Sequence, residues 1–81
     1  MVTTEKIDWH GCPGVEFDPN KMSGAANIRG MRIAPDAVLD NFNDGMSAEW
    51  IKENFEGVQD VDIRNILSFA SEHGFLRRPM P

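Results

Sequence analysis

The sequence predicts a mainly α fold: a three-helix unit in the second half, preceded by an extended arm or short β-hairpin. Two observations carry this. After residue 33, apolar residues recur at helical spacing in three blocks: Val38, Leu39 and Phe42; Trp50, Ile51 and Phe55; Ile63, Ile66, Leu67 and Ala70. Before residue 34, breakers such as Gly11, Pro13, Gly14, Pro19, Gly24 and Gly30 leave only short runs.

The arm is read as residues 5–33. Lys6-Ile7-Asp8-Trp9-His10 alternates polar and apolar, a short-strand pattern. Gly11-Cys12-Pro13-Gly14 reads as a turn and Val15-Glu16-Phe17 as a second strand. Residues 26–33 read as extended again, anchored by Ile28, Met31 and Ile33. The helices are expected near residues 35–43, 47–55 and 60–73, within a unit spanning 34–74. Pro35 suits a first helical turn, Gly45 and Gly74 suit helix ends, and Ser47 suits an N-cap. Residues 75–81 read as a basic tail. The short links make the three helices compatible with a helix-turn-helix or with a plain bundle.

A chain of 81 residues makes one domain, and one this small gains from a partner. A homodimer is therefore expected. Trp9, Phe17, Phe42, Trp50, Ile51, Phe55, Ile63 and Leu67 are the candidates for core or dimer interface. The single cysteine, Cys12, argues against a disulfide scaffold. Neither a signal peptide nor a membrane span is expected, so a cytoplasmic location follows.

The net charge of −5 disfavours a domain that coats nucleic acid through phosphates. Acidic residues crowd residues 36–62, while Arg29, Arg32, Arg64, Arg77 and Arg78 lie at the margins. Arg29-Gly30-Met31-Arg32 is the most distinctive local feature. Its arginines suit DNA phosphates, a carboxylate-rich partner, or the chain's own acids in a tight turn. On the third helix, Arg64, Asn65 and Ser68 are the candidates for contact with bases; Asp60, Asp62 and Glu72 oppose that role. His10, Cys12 and His73 fall short of a four-ligand zinc site, so neither metal nor cofactor is expected. No nucleophile, base or phosphate-binding loop stands out, so an enzyme is not expected.

The ordered blocks Pro13-Gly14-Val15, Ile28-Arg29-Gly30-Met31-Arg32-Ile33, Asp44-Gly45-Met46-Ser47 and Asp62-Ile63-Arg64-Asn65-Ile66-Leu67 resemble domain-of-unknown-function family 433, the VapB-type antitoxin-like proteins. The resemblance runs from about Ile7 to His73. Departures are Met31 for a threonine, Gly24-Ala25-Ala26 for Gly-Lys-Pro, Glu56-Gly57-Val58 for Pro-Gly-Leu, and Phe69 for a tyrosine. The resemblance implies a homeodomain-like or winged-helix-like three-helix part. It also implies an antitoxin that neutralises a PIN-type nuclease toxin and binds operator DNA for autoregulation. In such pairs an antitoxin arginine can occupy the toxin's metal-binding carboxylates, which makes Arg77 and Arg78 toxin-binding candidates. The rival reading is a stand-alone helix-turn-helix DNA-binding regulator.

Overall fold

A computed structural model describes residues 6–81, so the start of the arm at residue 5 lies outside the described residues, with most of the segment read for a signal peptide. Strand β1 (Val15–Phe17) pairs antiparallel with β2 (Ala26–Ile28), setting Val15 opposite Ile28, Glu16 opposite Asn27 and Phe17 opposite Ala26. A single 3-10 turn, Met22–Gly24, lies in the loop between them. Helices α1 (Pro35–Asn43), α2 (Ala48–Asn54) and α3 (Asp60–Glu72) follow.

The helix ends have local causes. Pro35 opens α1. Ser47 Oγ accepts the Trp50 N–H at 3.0 Å and caps α2. The Gln59 N–H donates to the Asp62 carboxylate at 2.8 Å, half of a capping box at the start of α3. Helix α1 ends in a Schellman motif: the Gly45 N–H bonds Phe42 O at 3.0 Å and the Met46 N–H bonds Asn41 O at 3.0 Å. Helix α3 repeats it through Gly74 and Phe75, with His73 as the C-cap.

One core joins arm and helices. Val38, Leu39 and Phe42 of α1, Ile51 of α2, and Ile63, Ile66, Leu67 and Ala70 of α3 enclose Ile28 from β2 and Trp9 from the arm. Three expectations need correction. Residues 6–10 alternate in burial but form no strand; Trp9 Nε1 instead donates to Asp36 of α1 at 3.0 Å, and its ring stacks on Phe69 at 5.8 Å. The segment lies across helices, not beside a strand. Residues 26–33 are not one extended run, because β2 ends in a tight turn after Ile28. Of the residues expected in core or dimer interface, Trp50 and Phe17 lie outside this chain's own core, at 36% and 37% exposed, which leaves only the interface alternative for them. Adjacent residues on a helix point about 100° apart, so Ile51 takes the inward direction and Trp50 does not. Phe17 ends its strand and stacks on the exposed His10 ring, with centroids 3.9 Å apart.

The 75–81 tail folds back on α1. Asn43 accepts the Arg77 N–H at 2.8 Å and donates to Phe75 O at 3.0 Å. No helix among the described residues is long and apolar enough to cross a membrane.

Candidate functional site

The arginine motif forms a type II turn over residues 28–31. The Met31 N–H donates to Ile28 O at 2.8 Å, and Gly30 has φ +79°, the value that position requires. A side chain at Gly30 would meet no atom within 4 Å, so this glycine is there for its backbone angle, not for close approach.

The turn is held from beneath by two polar side chains. Asn27, fully buried, surrounds its amide nitrogen with three acceptors, Glu16 Oε2, Ile28 O and Met31 O, each at 2.9 Å. Those three oxygens fix the amide's orientation and leave Asn27 Oδ1 buried without a partner among the described residues. Glu16 Oε2 also accepts the Gly30 N–H at 3.3 Å and the Lys21 ammonium at 3.2 Å. The Asn27 hydrogen bond first, then those of Gly30 and Lys21, hold the Glu16 carboxyl down at about 2.

Glu16 and Asn27 support the candidate site and were not foreseen from the sequence. The available signal was the hairpin register, which places them directly opposite each other.

The arginines extend from this fixed turn. Arg29 and Arg32 are exposed, and among the described residues neither guanidinium pairs with an acid. The acid at the turn serves the backbone instead. The Arg29 N–H donates to Gly14 O at 2.9 Å. Gly14 faces α3 on its other side, where an added Cβ would come within 3.3 Å of the Asn65 amide nitrogen. Gly14, with φ +77°, therefore stitches the turn to α3. Met31 lies under the α2–α3 link, its sulfur 3.8 Å from where a Cβ at Gly57 would stand.

The α3 candidates separate. Arg64 is exposed, whereas Asn65 and Ser68 are half-buried, and the Cys12–Gly14 turn covers the Asn65 side of the helix. The tail candidates separate too. Arg77 is exposed, but Arg78 is committed internally: its guanidinium donates to Phe42 O and to Met46 O at 3.0 Å, and lies 4.4 Å over the Phe42 ring. Arg78 satisfies carbonyls at the end of α1, so its guanidinium is held inside the fold while Arg77 is exposed.

Cys12 is buried, and its thiol is pushed up to about 11 by that burial and by Glu72, so it is a poor nucleophile. Among the described residues, no three His, Cys, Asp or Glu side chains are grouped to hold a metal.

Comparison with curated proteins and with solved structures gives no match. The family described as "Protein of unknown function (DUF433)" matches residues 15–70, from β1 through most of α3 and including the whole arginine turn. The matched stretch begins after Gly14 and stops short of His73, narrower at both ends than the resemblance suggested. The chain belongs to the DUF433 family.

Proposed function

We propose that this chain is a binding protein of the antitoxin type, which neutralises a PIN-type nuclease by presenting Arg29 and Arg32 to its metal-binding carboxylates. In this reading the chain catalyses nothing itself. The observation that carries it is the clamped turn, whose two arginines have no acid partner among the described residues. A guanidinium suits a carboxylate because it offers paired donors in a plane. A backbone fixed before binding avoids the ordering cost that a loose loop would incur. Arg77, exposed beside the pinned tail, is a second contact. The resemblance to VapB-type antitoxin-like proteins points the same way.

The stand-alone DNA-binding regulator has less support. It needs an outward polar face on α3, yet only Arg64 of its three candidates is exposed, with Asp60 and Glu72 also outward. The net charge of −5 adds to the repulsion from phosphates.

The test is co-expression with the PIN-type nuclease of the source organism. Wild type should relieve growth arrest and inhibit RNA cleavage at a one-to-one ratio. Arg29→Glu with Arg32→Glu should lose both effects while keeping its helical circular dichroism. Full inhibition by that double variant would overturn the role of the turn. Failure of the wild type to bind the nuclease would overturn the antitoxin reading.

A further inference from the structure

We propose that two copies of this chain pair through the face of α3 that carries Val61 and Arg64. Val61 is the most exposed large hydrophobic residue described, at 60%, on a helix whose other large apolar side chains turn inward. The same helix borders a recess of about 200 Å³ with Ala48, Ile63 and Met80 in its wall and Asp60 and Arg64, the chain neighbour and the i+3 neighbour of Val61, at its polar edge. Met80 is itself 41% exposed.

Charge selects the occupant. Asp60 and Arg64 stand four residues apart, so they share one helix face about one turn from each other. Arg64 has no hydrogen-bond or ion-pair partner among the described residues. Asp60 uses Oδ1 for Lys52 at 2.9 Å and keeps Oδ2 available. An acid and a base so placed are complementary to their own image under a two-fold axis. Antiparallel pairing of two α3 helices sets Arg64 of each copy across from Asp60 of the other. It also brings each Val61 to the other copy's recess. A uniformly acidic partner would meet Asp60 without compensation; a second copy satisfies both charges twice. This surface is separate from the arginine turn, and its test involves no nuclease.

The experiment is sedimentation equilibrium on the full chain, with circular dichroism to confirm that each variant is folded. Wild type should dimerise. Arg64→Asp alone and Asp60→Arg alone should each weaken dimerisation by about tenfold or more, because each opposes like charges twice. An equimolar mixture of the two variants should recover a dimer, since both cross pairs attract again. Val61→Glu, at a site 60% exposed, should be monomeric and folded by circular dichroism. A monomeric wild type would overturn the proposal. So would single variants that dimerise like wild type, or a mixture that stays monomeric.

Discussion

The arginine turn and helix α3 are both held firmly, but by opposite means. The turn is fixed by polar groups: a buried amide, a carboxylate with a depressed pKa, and the three backbone positions they bond around Gly30, Ile28 O, Met31 O and the Gly30 N–H. Helix α3 is fixed by apolar area, through Ile63, Ile66, Leu67 and Ala70, each at most 2% exposed. Hydrogen bonds have direction and specify one geometry; apolar burial supplies most of the free energy and specifies geometry less sharply. A segment that must present two charges in a set arrangement gains from the first kind of support. A helix that anchors the core gains from the second.

Core truncation should have the largest effect. Leu67→Ala and Ile51→Ala, both at fully buried positions, should each cost about 2–5 kcal/mol, read from the urea midpoint. Either change should leave the partner contact intact in whatever fraction stays folded. Asn27→Ala comes next, at about 1–3 kcal/mol, because it strands buried acceptors on the turn. Unlike the core variants, it should also weaken partner binding in the fully folded protein, as titration calorimetry would read. A loss of binding that merely tracks loss of folding would erase the distinction between the two regions.

Ser47→Ala should cost about 1 kcal/mol by removing the α2 cap, measured by thermal unfolding. Glu16 should act through pH. Its folded pKa lies below the unfolded one, so its stabilisation is complete above the ordinary carboxyl range. It is lost as pH falls through that range towards about 2. Glu16→Gln should therefore flatten the acid limb of a stability–pH profile below about pH 4.5 and leave the neutral limb's shape unchanged. The smallest effect belongs to Asp40, whose carboxyl is pushed up by burial and by Asp36 and Asp44 on either side. Asp40→Asn should stabilise the protein by about 0.2–0.5 kcal/mol, through relief of like charges four residues apart.

The helices were legible because their signals are local. Pro35, Ser47, Gly45 and Gly74 mark ends, and the apolar spacing between them marks faces, so the expected ranges match within a residue or so. The arm was legible only in part. Its alternation at residues 6–10 foretold burial of Ile7 and Trp9, yet burial against helices follows the same pattern as burial in a sheet. Trp50 misled because an aromatic residue beside Ile51 competes for one inward direction.

The arginine turn was visible as a motif, but its support was not. Glu16 and Asn27 are eleven residues apart in sequence, and only the hairpin register brings them together. Arg78 was misread for a related reason. A basic residue between Arg77 and a proline looks like a free tail until Phe42 and the α1 carbonyls claim it. Long-range polar partnerships leave almost no periodic trace, and they account for most of what the sequence reading lacked.

Amide hydrogen exchange on the isolated protein reads whether the arginine turn is rigid before any partner arrives. The Met31 N–H, bonded to Ile28 O, and the Gly30 N–H, bonded to Glu16, should exchange slowly in the isolated wild type. Both should lose most of that protection in Asn27→Ala, while the α3 amides stay protected. Exchange of Gly30 and Met31 at unprotected rates in the wild type would mean that the arginines ride on a loose loop and that the turn is not preorganised.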